Sequence, residues 1–265
     1  NVLAKQGELD EAVLCYRNAI ALKPDFHAAH SNLGNVLNEQ GRPSEAAVCY
    51  GKAIALKPDF AEAHFNLGNA LKDQGRLDQA VASYRRALAL EPNCPEAYYL
   101  LGNALRDQDR FEEVLDCYRK ALSLKPDYAE ARWALAMSQI PAVYPVDSDP
   151  ARFRAAFSMQ LDELERWFGP DRVAEGYKVI GVQQPFCLAY QEENNRNLLA
   201  RYGSLCNRIM SAWLDRQVLP GPRKRDYDGV IRVGVVSRYF HNHSVWNAIV
   251  KGWFLQLDRK RFSLH

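Results

Sequence analysis

A period of 34 residues constrains this chain more than any other feature. Pro24, Pro58, Pro92 and Pro126 recur at that interval, and so do Leu33-Gly34, Leu67-Gly68 and Leu101-Gly102. Tyr16, Tyr50, Tyr84 and Tyr118 form a third column, Ala19, Ala53, Ala87 and Ala121 a fourth, and Ala12, Ala46, Ala80 and Val114 a fifth. Self-similarity at such a period is the mark of stacked supersecondary units, none of which can bury its apolar face alone. Each unit reads as two antiparallel helices, roughly 28–40 and 44–56 in the first complete one. Gly34 and Ala46 allow the helices to approach, Leu33 and Tyr50 fill the space between them, Gly41 makes the turn and Pro58 ends the second helix. Tyr84 is expected between helices of adjacent units. Three complete units span 27–60, 61–94 and 95–128, preceded by a partial unit (1–26) and followed by a closing helix, 129–139. Asn1 lies 34 before Asn35, so further units are expected before residue 1.

The remaining composition excludes several classes. The formal net charge of the 265 residues is +2, with 48% hydrophobic and 25% charged residues. No single-sign field announces a nucleic acid, and no apolar run approaches the ~20 residues that span a bilayer. The six cysteines do not form metal-binding pairs. Cys15, Cys49 and Cys117 occupy one repeat position, immediately before the tyrosine, where the second complete unit has Ser83. Reduced thiols and a cytoplasmic location are expected.

One polar pattern accompanies the apolar one. Asn32 and Asn35, Asn66 and Asn69, and Asn103 recur on the first helix of each unit. Residues three apart share a helix face, and stacking lines these faces up. Asn is less favourable than Ala inside a helix, so its repetition asks for a reason. One reading is a substrate-binding ladder, because a carboxamide can both donate to and accept from the backbone of an extended polypeptide. The other is local hydrogen bonding within a crowded helix pair.

Past residue 139 the period fails. Residues 140–145 (IPAVYP) read as an extended joint. An amphipathic helix over 150–168 carries Phe153, Phe157, Leu161, Leu164 and Phe168 as a packing stripe, which Trp167 can join, and 192–216 carries Leu198, Leu199, Tyr202, Leu205, Ile209, Met210 and Trp213. Residues 140–229 are therefore expected to be a helical bridging segment, closing with the solvated linker Pro220–Arg225. Val230–Ser237 then reads as a buried parallel strand, followed by a polar loop, a helix over 245–257 capped by Ser244, and the start of a second strand at 261–265. Residues 230–265 are thus expected to open a doubly wound α/β domain that continues past His265. Without G-x-G-x-x-G, a dinucleotide site has no support.

The period-34 units resemble the tetratricopeptide repeat. Together with the asparagines and Arg232-Val233-Gly234-Val235-Val236-Ser237-Arg238-Tyr239-Phe240-His241-Asn242-His243, they resemble the protein O-linked N-acetylglucosamine transferases and their Spindly-like relatives; the stretch 201–206 is similar to that family's bridging helices. The fold class implied is an α-solenoid of tetratricopeptide repeats, a helical bridge, and the first βαβ unit of a glycosyltransferase-B-like domain, truncated. The resemblance implies sugar transfer from a nucleotide sugar, UDP-GlcNAc, to Ser or Thr of proteins, with Asn32, Asn35, Asn66, Asn69 and Asn103 holding the acceptor polypeptide. No further cofactor and no metal are called for, and partners are acceptor proteins rather than nucleic acid or membrane. His243 matches the family's N-H motif and is the one catalytic candidate. Tyr239 stands where family enzymes commonly carry Asp, and Gln183 and Gln184 where they carry a His pair, so proton-transfer roles at those places do not transfer. N-acetylglucosamine and fucose both remain open as the donor sugar. The donor half lies beyond residue 265, so this fragment alone is expected to be inactive. The alternative is a non-catalytic tetratricopeptide adaptor for protein–protein interaction.

Overall fold

A computed structural model describes residues 2–141, 143–144, 148–185, 187–188, 194–217, 231–233 and 262–264. Contacts divide it into two units, Asn1–Gln217 and Val218–His265.

The first unit is helical among the described residues. Helix α1 (Val2–Leu22) precedes three helix pairs: α2 (His27–Glu39) with α3 (Pro43–Leu56), α4 (Ala61–Asp73) with α5 (Leu77–Leu90), and α6 (Pro95–Arg106) with α7 (Phe111–Leu124). Helix α8 (Ala129–Met137) closes the stack. The boundaries follow the repeat columns. Pro58, Pro92 and Pro126 follow the ends of α3, α5 and α7, where a proline cannot continue a helix. The turns inside the pairs need a left-handed residue, which Gly41 and Gly75 supply at φ 74°; the third turn places Asp109 there at φ 56°.

The Leu-Gly and Tyr columns have one joint cause. A Cβ on Gly34, Gly68 or Gly102 would lie 2.6 Å from a ring carbon of Tyr50, Tyr84 or Tyr118 respectively. Each tyrosine ring therefore occupies the space that the glycine leaves open on the other helix of its own pair. Tyr50 is 2% exposed and Tyr84 and Tyr118 are 0% exposed. Tyr84, expected between helices of adjacent units, fills the space left by Gly68 on the other helix of its own pair and belongs to one buried cluster with Ala97 and Leu101 of the next unit. Ala46, Ala53, Ala80, Ala87, Val114 and Ala121 are buried as their columns require.

Two polar columns went unread in the sequence. Gln40, Gln74 and Gln108 sit at the turns. Their amides reach the preceding unit, Gln40 Nε2 to Asp10 (2.7 Å), Gln74 Nε2 to the Pro43 carbonyl (3.0 Å) and Gln108 Nε2 to Asp78 (2.8 Å). The arginine two residues on donates back to each glutamine. At the opposite end of the pairs, His30, His64 and Arg132 each meet the carbonyl of a proline six residues earlier, at 2.8–3.1 Å.

Beyond the repeats, α9 (Pro150–Trp167), a 3-10 helix (Val173–Lys178) and α10 (Arg196–Leu214) pack against α8. Pro150 starts α9, and the Asp149 carboxylate accepts from the Ala151 amide (2.9 Å) as its cap. Phe153, Phe157, Leu161, Leu164 and Phe168 are all buried. Helix α10 begins four residues later than expected, and its buried stripe is narrower. Leu205 and Ile209 are buried and Leu198 and Tyr202 pack beside them, whereas Leu199 and Met210 are exposed. Trp133 of α8, 1% exposed, lies at the centre of this core and donates from Nε1 to the Gln183 carbonyl (3.0 Å).

In the second unit, β1 (Ile231–Val233) pairs in parallel with β2 (Phe262–Leu264), with Arg232 opposite Ser263. The expected loop with Tyr239 and His243, the helix over 245–257 and the linker 220–225 lie outside the described residues.

Candidate functional site

The structure places all five sequence-selected asparagines on the first helices of the pairs and separates them into two kinds. Asn35, Asn69 and Asn103 each accept, through Oδ1, the hydroxyl proton of the tyrosine fifteen residues on: Tyr50 at 2.8 Å, Tyr84 at 2.7 Å and Tyr118 at 2.7 Å. Burial pushes the Tyr50 and Tyr84 hydroxyls well above the ordinary phenol value and Tyr118 up to about 12. All three stay protonated at neutral pH, so each is a permanent donor. The Oδ1 of this column thereby accepts a hydrogen bond, and the Nδ2 groups are its donors.

Asn66 belongs to the second kind. Its Nδ2 donates to Asn35 Oδ1 across the boundary between two units (3.0 Å), which leaves its own Oδ1 as the acceptor. Asn32 holds the same place one unit earlier, where the counterpart of Asn35 is Asn1, outside the described residues. The column then breaks. Leu100 and Ala134 stand at the next two positions. Asn69 has no asparagine reaching it from the following unit.

Gln183 takes that place for Asn103. Its Nε2 lies 3.3 Å from Asn103 Oδ1 and 3.4 Å from the Tyr118 hydroxyl, while its Oε1 accepts from Ser138 (3.4 Å). Gln183 is buried, 9% exposed, and its main chain is held by Trp133. Gln184 beside it is exposed. The sequence singled out Gln183 only as a departure from a histidine pair; its part in closing the asparagine row depends on a contact eighty residues away in sequence.

The row is a run of carboxamides, half-buried except for the exposed Asn35, whose hydrogen-bonding polarity is preset. Asn35, Asn69 and Asn103 offer N–H; Asn66 offers oxygen. Such a surface matches the alternating C=O and N–H of an extended main chain, whatever its side chains. Local hydrogen bonding, one of the two readings of this pattern, is thus present at Asn35, Asn66, Asn69 and Asn103, and in each it engages one end of the carboxamide. His243 falls outside the described residues. Among the described residues no cluster of His, Cys, Asp or Glu could hold a metal ion, and no helix is long and apolar enough to cross a membrane.

Comparison with known proteins identifies the repeats. Family profiles described as TPR repeat match residues 1–41, 34–75 and 68–108, and one described as tetratricopeptide repeat matches 95–128. Among solved structures, a crystal structure of MamA is 20% identical, with 68% of this chain and 91% of that chain covered and a TM-score of 0.54. MamA 41-end from Desulfovibrio magneticus RS-1 is 21% identical over 62% and 89%, with a TM-score of 0.52. YrrB, described as a TPR protein with an unusual peptide-binding site, is 19% identical over 76% and 93%, with a TM-score of 0.53. At these identities the likeness is one of fold. No curated protein matches the chain.

Proposed function

We propose that this tetratricopeptide repeat chain binds extended polypeptide segments by their main chain, as a protein-interaction scaffold. One observation carries the reading: the asparagines of successive first helices have one end of the carboxamide tied to a buried tyrosine or to each other, so that outward donors and acceptors are held ready before a ligand arrives. Preorganised groups lose less entropy on binding than free side chains. The description of YrrB as peptide-binding supports a peptide as ligand for such a stack.

The test separates the two ends of the carboxamide. Asn69→Asp and Asn103→Asp keep an oxygen for the tyrosine hydroxyl and remove the N–H donors. With each hydrogen bond contributing about 0.5–1.5 kcal/mol, the double variant should bind a fluorescent, unstructured Gly/Ser/Thr peptide roughly tenfold more weakly or worse, at unchanged helicity. Undiminished binding would return the asparagines to a purely structural role.

A second reading adds sugar transfer by a longer parent protein. What supports it is the parallel pair β1–β2, joined across residues 234–261, a separation long enough for a crossover connection, together with the resemblance of residues 232–243 to the O-linked N-acetylglucosamine transferases. In that reading UDP-GlcNAc is the co-substrate, His243 serves the acceptor hydroxyl, and the row of asparagines feeds acceptor proteins to it. Radiolabelled sugar nucleotides offered to the full-length parent with generic protein acceptors test it, and residues 1–265 alone should transfer nothing. An inert parent would leave the scaffold as the function, and turnover by this fragment would refute the placement of the donor half beyond residue 265.

A further inference from the structure

The carboxamide row does not end in open surface. Arg106 follows Asn103 by three residues, on the same face of α6, and lines a cavity of about 280 Å³. Gln183, whose amide bonds Asn103, lines it as well. The cavity therefore begins within one helical turn of the last asparagine and shares a residue with the row.

Its walls are predominantly apolar, from Phe111, Val114, Met137, Ile140 and Val182. Val143 and Val182, at 76% and 56% exposed, present apolar surface to solvent beside it. The charged groups are largely answered for. Arg110 is held by Glu113 (2.7 Å) and reaches Gln108 (3.5 Å), and Asp109 lines the cavity alongside Arg106. Arg106 itself reaches Asp107 through Nη2 (3.2 Å), while its Nη1 is shielded from solvent and has no hydrogen-bond partner among the described residues. A guanidinium N–H in that state gains from any acceptor brought to it. The volume falls just below the ~300–1,000 Å³ of small-molecule sites: it suits a large side chain and leaves no room for a nucleotide sugar.

We propose that this cavity is a side-chain specificity pocket for the polypeptide held by the asparagine row. It takes one bulky, uncharged apolar side chain, of leucine or phenylalanine size. The inference rests on the polypeptide-binding reading above and adds a preference that the row lacks: main-chain recognition is indifferent to sequence, and the cavity selects at one position.

The experiment uses the 265-residue chain and fluorescein-labelled 16-residue Gly/Ser/Thr peptides carrying one Leu, Phe, Lys or Ala, moved along the peptide position by position. At one register the Leu or Phe peptide should bind about tenfold more tightly than the Ala peptide, as burial of such a side chain requires, and the Lys peptide should gain nothing. Val182→Trp, which fills the mouth from an exposed position, should bring the Leu/Ala ratio below about twofold. At equal occupancy the Leu peptide should slow alkylation of Cys187, which also lines the cavity, mapped by mass spectrometry against the other cysteines. Equal binding of Leu, Phe and Ala peptides at every register, with Asn69→Asp still weakening all of them, would overturn the pocket and leave the row intact. A Leu preference that survives Val182→Trp would place the selective site elsewhere. Binding that is insensitive to Asn69→Asp would remove the row, and the pocket proposal with it.

Discussion

The three helix pairs and the helices that follow them solve the same burial problem at different ranges. In the repeats the largest buried side chain of each pair meets a glycine sixteen positions earlier, Tyr50 on Gly34, Tyr84 on Gly68 and Tyr118 on Gly102. The solution is local and is copied. Beyond residue 139 the core gathers around Trp133, with Phe157, Leu161 and Phe168 from α9 and its C-terminal cap, Leu188, and Ile209 from α10, and Trp133 bonds a carbonyl fifty residues away. A copied local solution distributes stability over near-equivalent parts, as nearest-neighbour stacks do. A single shared centre concentrates it.

That contrast can be broken most forcefully at its centre. Trp133→Ala should cost about 3–5 kcal/mol, and hydrogen exchange should show α9 and α10 losing protection together while α2–α5 keep theirs. A loss confined to α8 would mean that the second region has no common centre. Within the repeats, Gly68→Ala places a methyl 2.6 Å from the Tyr84 ring, and overpacking of this kind should cost about 1–3 kcal/mol. Gly51→Ala, with open space around its Cβ position, should be neutral or stabilising by chemical denaturation, because alanine is the better helix former.

The polar layer divides in the same way. Asn69→Ala leaves the buried Tyr84 hydroxyl without its acceptor and should cost about 1–3 kcal/mol. Asn66→Ala removes only a bond between half-buried and exposed amides and should stay within about 0.5 kcal/mol. Asparagines that look alike in the sequence would thus differ in stability and not only in binding; equal losses would show that the tyrosine bond carries no weight. An effect of opposite sign is expected at the third turn, where Asp109 holds φ 56° and the other two turns use glycine. Asp109→Gly should stabilise by up to about 1 kcal/mol, since left-handed backbone costs a side-chain-bearing residue more. A lower melting temperature would mean that the aspartate contributes a contact worth more than the strain.

The repeating half was legible because its cause is periodic. The Leu-Gly, Tyr and Ala columns predict helix pairs whose ends lie within one residue of the observed α2, and the stripe on α9 is buried residue for residue. The Gln40, Gln74 and Gln108 column was equally periodic and went unread, since nothing in a single strand of sequence says that a turn amide reaches into the previous unit. Helix α10 was read too wide because alternation of apolar residues marks a face but not how far a neighbour covers it; Leu199 and Met210 lie at its uncovered edge.

By itself the sequence determined that residues 1–128 carry tetratricopeptide repeats and that asparagine recurs on one face. The spacing of side chains along a helix is a property of the chain alone, and 34-residue self-similarity leaves few other ways to bury the apolar columns. Only the tertiary structure decided what each asparagine can offer. The polarity of a carboxamide depends on which of its ends a neighbour has engaged, and those neighbours are a tyrosine on the facing helix, an asparagine of the next unit, or Gln183 from beyond the repeats. The cavity beside Asn103 has the same origin. It is bounded by α6, α7 and the segments 137–143 and 182–187, which are brought together by the burial of Trp133 and by no pattern along the chain.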